Sequence, residues 1–240
     1  MVVPYNTNEP KKNQIRKMFN HIAEKYDFLN RLLSLGNDKC WRRKTVKILK
    51  EIKGEIPVGN VIDLATGTGV LAETLLKLNP QGKVYGVDIA ENMIEVARKK
   101  YLNEPKLVFE VADGENLPYN DDFFDIATIG FGIRNYNHIE KGIKETYRVL
   151  REHGIIAILE LSVPKNPLFK LVHELHSSIF IPLVGFIFAG DLKAYSYLHN
   201  SVKEFSRTVN LVEELEKAGF KIKVLKTFTF GTVTLYIGEK

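Results

Sequence analysis

Residues 61–70 read VIDLATGTGV, and the reading of that stretch decides the fold. An apolar run ends in the acid Asp63, and Gly67 and Gly69 follow within one turn. Together with Ala72 they fit the G-x-G-x-x-G/A fingerprint of a dinucleotide-binding turn, and Asp88 lies 19 residues beyond Gly69. Alone, the pattern makes a nicotinamide cofactor the first candidate. Its neighbours decide whether that candidate survives.

Working outward, apolar runs alternate with helical patterns from Val58 onward. Strands are predicted over 58–64, 83–89, 106–112, 123–131 and 154–161, with helices around 70–79, 90–101 and 138–151. That rhythm predicts a parallel sheet wound with helices, and the continuous apolar runs suit strands covered on both faces. Past Gly219, two further strands over 220–228 and 232–238 are joined around Phe230-Gly231. So short a link holds no crossover helix, so this pair is expected to be antiparallel.

Ahead of the sheet, Ile15, Met18, Phe19, Ile22, Tyr26 and Leu29 recur at helical spacing on one face. Gly36 is placed to end that helix, and Asn37 or Asp38 to cap the next. Residues 1–57 are thus expected to form a helical cap within the same domain as a core over 58–240, which carries an insertion at 164–205. Inside the insertion IFIPLVGFIFAG (179–190) is the most apolar stretch of the chain. It falls short of the roughly 20 residues that span a bilayer as a helix, and Pro182 and Gly185 interrupt it. A core segment, an apolar lid and a membrane-facing patch all stay open for it.

Composition narrows the class. Of the 240 residues 45% are hydrophobic and 26% charged, ordinary globular values that argue against wholesale disorder. Cys40 is the one cysteine, which excludes an intrachain disulfide and a cysteine-rich zinc site and suits a reducing compartment. The opening MVVPYNTNEPKKNQ has no apolar h-region, so no secretory signal is expected. Residues 1–50 hold twelve Lys/Arg against four Asp/Glu, so their net +8 leaves about −3 for the remainder of a +5 chain. Such a basic arm suits an anionic membrane, a nucleic acid or an acidic partner, or is simply a solvated helix face.

Three features turn the glycine stretch away from a dinucleotide. Gly67 lies four positions beyond Asp63, a looser turn than the fingerprint has. Asp63, Asp88 and Asp113 follow three successive strands, and the carboxyl ends of strands form the ligand crevice of such a sheet. Three acids repel a pyrophosphate. The antiparallel C-terminal pair also lies outside the dinucleotide pattern. S-adenosyl-L-methionine meets all three demands, with no phosphate, a sulfonium cation, a ribose diol and an adenine amine. Gly67 and Gly69 would admit it close to the backbone. Asp88 would accept from both ribose hydroxyls and Asp113 from the amine, and Asp63 would fix the loop or face the cation.

The runs DLATGTG, GVDIAENMIEVA and ADGENLPYNDDFFDIATIGFGIRN resemble the ubiquinone/menaquinone biosynthesis C-methyltransferase family, as do FNHIAEKYDFLNRLLSLGNDKCWRR, YRVLREHG, LELSVP and YSYLHNSVKEF. The resemblance runs from about residue 15 to the C-terminus, and YDFLNRLLSLG and FGIRN are its most specific parts. It implies a Rossmann-like class I methyltransferase, an α/β fold with a seven-stranded, mostly parallel sheet whose last strand is antiparallel. It also implies cofactor contacts at Thr68, Asp88 and Asp113-Gly114, and one at Gly130, where the family often has serine. Val70 stands where the family commonly has aspartate, and Tyr236 where it often has histidine.

The implied reaction moves a methyl group from sulfur to a ring carbon of a prenylated quinol. The site must align the carbon with the methyl group and make the ring electron-rich. Arg134 and Asn135, after the fourth strand, are the candidates for stabilising a phenolate and orienting its oxygen. Tyr26 and Asp27 are candidates to close over the ring and assist proton transfer; a structural ion pair for Arg134 and a core position for Tyr26 are the competing readings. Of six histidines only His173 and His176 lie close, and no metal site is expected. A quinol tail suits the apolar insertion, and the basic helices suit peripheral contact with anionic lipid at the cytoplasmic face. The insertion is also a candidate homodimer interface. Another small apolar acceptor, an RNA acceptor prompted by the pI of about 9.0 and a non-catalytic regulator are the alternatives; nucleic acid is not expected, for lack of an RNA-binding module.

Overall fold

In the computed structural model, which describes residues 2–5, 7–54, 58–78, 81–180 and 192–240, Val61–Leu64 forms the central strand β1 with all four residues buried. Its neighbours are β2 (Val84–Asp88), β3 (Leu107–Val111), β4 (Phe124–Gly130), β5 (Leu150–Leu161), β6 (Lys221–Phe228) and β7 (Val233–Glu239). The seven strands make one sheet in the order β3-β2-β1-β4-β5-β7-β6. β1 pairs in parallel with β2 and β4, which sets Asp63 beside Gly86 on one side and Thr128 on the other. β7 lies antiparallel to both β5 and β6, so it alone runs against the rest.

The pleat explains the continuous apolar runs. Val61 packs on one face while Ile62 and Leu64 pack on the other, and along β5 Ile155, Ala157 and Leu159 alternate with Ile156 and Ile158 in the same way. Each face has its own helical cover, so both alternations need apolar residues. Helices α3 (Asn37–Lys53), α4 (Val70–Leu75) and α5 (Glu91–Lys100) supply Leu49, Leu75 and Ile94 to the first face. α6 (Ile139–Val149) and the later helices α8 (Leu192–Thr208) and α9 (Leu211–Lys217) supply Ile143, Phe205 and Leu215 to the second. A fully buried side chain of this size contributes roughly 1.5–3 kcal/mol, and these two layers carry most of the core.

Three local expectations shift. The N-terminal periodicity is divided into α1 (Lys11–Ile22) and α2 (Tyr26–Leu33) by a tight turn at Ala23–Lys25, which resets the face on which Tyr26 lies. Gly36 (φ 77°) precedes α3, but neither Asn37 nor Asp38 caps it: the Asp38 N–H donates to Ser34 Oγ and the Asp38 carboxylate pairs with Arg42. The helix predicted to reach residue 151 ends at Val149, and β5 begins at once. The insertion opens with α7 (Pro167–Leu175), capped by the Asn166 side chain, and a wider turn at His176–Phe180. Most of the run 179–190, with the readings attached to it, lies outside the described residues.

Candidate active site

Strand order reverses between β1 and β4, and there the carboxyl ends of the strands open a crevice. Beyond Leu64 the chain turns through left-handed residues at Ala65, Gly67 and Gly69, with φ of 51°, 56° and 80°. Gly67 lines the cleft. A side chain at Gly69 would meet the Phe109 ring at 2.6 Å, so this glycine is required by packing beneath the loop.

Asp63 does not face the ligand crevice. It is 1% exposed, and its two oxygens accept from the hydroxyls of Thr66 (2.6 Å) and Thr128 (2.5 Å). Burial outweighs those two bonds and pushes its carboxyl up to about 6. It braces the loop to β4 from below, through hydroxyls rather than backbone N–H groups. Thr68 is likewise turned away from the cleft, its hydroxyl bonded to Asp27 on α2. Asp27 is held a second time by Lys100 at 2.6 Å, so it serves the cap and not the acceptor.

Asp88 and Asp113 do line the cleft. One Asp88 oxygen accepts the Gly67 N–H and the other the Ala90 N–H, both at 2.9 Å, and burial pushes its carboxyl upward. Asp113 accepts the Glu115 N–H at 3.0 Å and pairs with Lys12 from α1. Gly114 and Gly130 line the same wall. A side chain at Gly114 would strike the Tyr136 hydroxyl, and one at Gly130 would press on Leu71 at 3.0 Å, a close fit for any larger residue. The Tyr136 hydroxyl is buried without a hydrogen-bond partner, and burial pushes it well above the ordinary phenol value.

Across an aromatic wall made by Tyr26 and Phe131 lies a second, largely apolar cavity of about 350 Å³. Leu33, Trp41, Leu161, Phe169, Val202 and Phe230 line it, with Arg42, Arg134 and three histidines among them. Phe131 holds a left-handed backbone (φ 61°), and its ring lies beneath the Arg42 guanidinium at 5.5 Å. Arg134 is buried, its Nη1 donating to Glu160 at 2.7 Å and to the Phe131 carbonyl, while its Nε has no partner. Arg134 is thus an ion-pair partner that also lines this cavity. Asn135 lines the carboxylate-lined cleft and accepts from the Tyr197 hydroxyl at 3.0 Å. Burial raises the Tyr26 phenol, so this group is a proton donor near neutrality.

Sequence reasoning passed over several of these groups. Lys11 donates to the carbonyls of Arg134 (3.2 Å) and Tyr136 (2.9 Å), fixing the FGIRN loop from α1. Lys12, Tyr136, Asp38 and Arg42 line one cavity or the other. Lys11 and Lys12 find their partners more than 100 positions away, so periodicity carries no trace of them, whereas Asp38 and Arg42 pair four positions apart along α3. Among the described residues no three His, Cys, Asp or Glu are grouped to hold a metal ion. Val70 and Tyr236, the two departures from the family pattern, line neither cavity.

The donor set in the cleft fits a cationic, phosphate-free nucleoside: two strand-end carboxylates, a glycine cradle and the unpaired Tyr136 hydroxyl. Comparison with known proteins agrees. Residues 7–240 match the ubiE/COQ5 methyltransferase family. The chain is 38% identical over 230 residues to the demethylmenaquinone methyltransferase of Chlorobaculum parvum, across 95% of this chain and 93% of that one. It is 39% identical over 234 residues to the ubiquinone/menaquinone biosynthesis C-methyltransferase UbiE of Geobacter sulfurreducens, across 96% and 90%. In fold alone it is similar to the [4+2]-cyclase SpnF (TM-score 0.63, 14% identity, 97% of each chain). The same holds for a SAM-dependent methyltransferase of Aquifex aeolicus (TM-score 0.58, 18% identity, 89% and 97%). The cyclase is a reminder that this fold hosts more than one chemistry.

Proposed function

The chain belongs to the ubiE/COQ5 methyltransferase family, and from that premise we propose that it methylates a ring carbon of a prenylated quinol, either demethylmenaquinol or the ubiquinone-precursor equivalent. It is an S-adenosylmethionine-dependent methyltransferase. One observation supports the acceptor class above others. The apolar cavity shares Tyr26 and Phe131 with the carboxylate-lined cleft, so an apolar ring and a cationic donor would meet at one wall.

Gly67, Asp88, Asp113, Gly114 and Gly130 would hold the cofactor, over a loop shaped by Asp63, Thr68 and Gly69. Bound there, it supplies a methyl group on a sulfonium already activated for transfer. The Asp88 carboxylate accepts backbone N–H groups from Gly67 and Ala90 and, as a four-acceptor group, keeps capacity for a ribose hydroxyl. Lys12 occupies one Asp113 oxygen, so an adenine amine would share that carboxylate or displace the lysine. On the acceptor side the Arg134 Nε is a donor left for a developing phenolate, while Glu160 fixes the guanidinium plane. Asn135 orients the ring oxygen or a water, and protonated Tyr26 closes over the ring as a donor.

The reading extends to location. Basic α1 and α3 and the exposed Leu168, Leu171, Val172 and Leu175 of α7 suit peripheral contact of a cytoplasmic protein with an anionic bilayer. No helix among the described residues is long and apolar enough to cross a membrane. Pairing of two copies through the insertion is the rival use of that face, and flotation with anionic liposomes against sizing in solution separates the two. For the chemistry, purified protein is incubated with methyl-labelled S-adenosylmethionine and reduced, prenylated demethylmenaquinone in detergent. Labelled menaquinone is the expected product. Cofactor binding without product on naphthoquinol or benzoquinol acceptors would refute the quinol reading.

A further inference from the structure

Methylation of a quinol ring releases one proton, and the residues already placed at the acceptor provide no free base for it. Asp38, which lines the cavity, is tied to Arg42 at 2.6 Å. Glu174, on the opposite wall, is tied to Lys203 at 3.3 Å. Glu160 holds Arg134, and Tyr26 is a buried, protonated phenol. That leaves imidazoles. His199 is engaged at both nitrogens, with Nδ1 at 3.0 Å from Ser177 Oγ and Nε2 at 3.7 Å from the Glu174 carboxylate. His173 differs from His199: it lines the same cavity from α7, and its buried Nδ1 has no hydrogen-bond partner, while His176, in the turn after α7, lines the cavity too and is the rival that H176Q tests.

We propose that the His173 imidazole is the general base that takes the proton from the acceptor during methylation. The inference rests on the quinol reading of the apolar cavity. The balance is simple. As the ring carbon forms its bond to the methyl group, the methyl–sulfur bond breaks and its electron pair stays on sulfur. The hydroxyl proton beside that carbon passes to His173, leaving a neutral methylated dienone. The ring C–H proton then moves to the oxygen as aromaticity returns, and one proton remains on the imidazole until water removes it.

The surroundings keep that imidazole ready. Burial lowers His173 below the ordinary histidine value, and nearby His176 and His199 push the same way against Glu174. Lys203 from α8 and Arg42 and Arg134 across the cavity add no negative charge. The ring is therefore neutral near pH 7, able to accept a proton, and loses that ability as pH falls through its lowered pKa.

The test compares the pH dependence of labelled methyl transfer to reduced, prenylated demethylmenaquinone for wild type, H173Q, H173A, H176Q and H199Q. It is paired with NMR titration of the His173 ring in ligand-free protein and with added menaquinol. Removing a general base typically costs roughly 100-fold or more. H173Q should lose that much turnover, with cofactor and quinol dissociation constants unchanged and the acid limb of the profile gone. Added imidazole should partly rescue H173A. In the ligand-free protein the ring should titrate below an ordinary histidine, and menaquinol should shift that titration. An H173Q enzyme with wild-type turnover and acid limb overturns the proposal, as does an acid limb that follows H176Q or H199Q instead. A wild type inert toward quinols sinks the quinol reading. That outcome removes this proposal with it, whereas an active wild type whose His173 titration is unmoved by menaquinol sinks this proposal alone.

Discussion

The two cavities that share Tyr26 and Phe131 are built in opposite ways. The cleft is floored by strand ends and the turns after them, with Asp88 set by the β2–β3 ladder and the carboxylates of Asp88 and Asp113 anchored by the N–H groups of Gly67, Ala90 and Glu115, and it is closed by Lys12, Ile15, Phe19 and Tyr26. The acceptor cavity is made of side chains from α2, α3, α7, α8 and the turn before β7, held by scattered contacts such as Trp41 Nε1 to Thr229 at 2.8 Å. A sheet fixes positions to within its register, whereas helices packed on it can slide and repack. With the cofactor and acceptor placed as proposed, cofactor recognition would rest largely on backbone, and acceptor choice on side chains that can change without disturbing the sheet.

The sharpest test of that contrast is Arg134, which lies on the acceptor side yet is bound into the core. Arg134→Ala should lower turnover by about 100–1000-fold with cofactor affinity retained. It should also cost about 3–5 kcal/mol of stability, because Glu160 is left buried without its partner. Replacing both Arg134 and Glu160 with leucine should recover the stability but not the turnover. Calorimetric cofactor binding, single-turnover rates and denaturant unfolding read the three effects, and lost cofactor binding would break the division between cavities.

On the cofactor side, Asp88→Ala should weaken S-adenosylmethionine by about 100-fold, the loss expected for two charge-assisted hydrogen bonds at the lower end of their strength. Acceptor affinity should be unchanged, and isothermal titration of each ligand checks this. Gly69→Ala attacks the loop without touching either ligand. Its left-handed backbone and the Phe109 ring at 2.6 Å should make it about 1–3 kcal/mol less stable in urea unfolding. A neutral result would show that Phe109 yields easily and that the loop is less constrained than its geometry implies.

The smallest effect concerns Asp63, whose carboxyl stands at about 6 against 3.8 in the unfolded chain. A raised carboxyl pKa means that the folded state binds the proton more tightly. Its cost to stability is therefore greatest above pH 6 and is relieved as pH falls through 6 toward 4. Relative to Asp63→Asn, wild type should gain about 1 kcal/mol between pH 7 and pH 5. Parallel urea curves for the two proteins measure this, and a difference constant with pH would mean that the carboxyl is not raised.

The same contrast governs what the sequence disclosed. Strand number, the reversed last strand and the strand-end acids were legible, because pleat and ladder impose period, length and an acid at a fixed place. Of the two readings of Asp63 the structure shows the loop-fixing one, and the choice was hidden because its neighbour Thr128 lies 65 positions away and beside it only through the β1–β4 register. Asp27 was misread for the same reason, being claimed by Thr68 and Lys100. The acceptor cavity was invisible as a cavity: its walls come from residues near 30–42, 161–177, 198–203 and 229–232, and no local pattern joins them. Family motifs pointed to Arg134 and Asn135, but not to Arg42 or His173.

The latch between α1 and the cleft has a kinetic consequence. Lys12 reaches Asp113, and Arg16 and Asn20 reach Glu91 at the start of α5, so the first helix is fastened to the sheet partly by charges near solvent. Its apolar anchors Ile15 and Met18 hold it laterally, against α2 and Tyr197. A nucleoside held in the cleft as proposed would lie beneath that fastening, which mobile ions screen. Dwell time on the enzyme should therefore shorten as ionic strength rises, more than the equilibrium fit of the ligand to Asp88 would suggest. Residues 11–20 would then be a clasp that sets how long the spent donor stays before the next can enter.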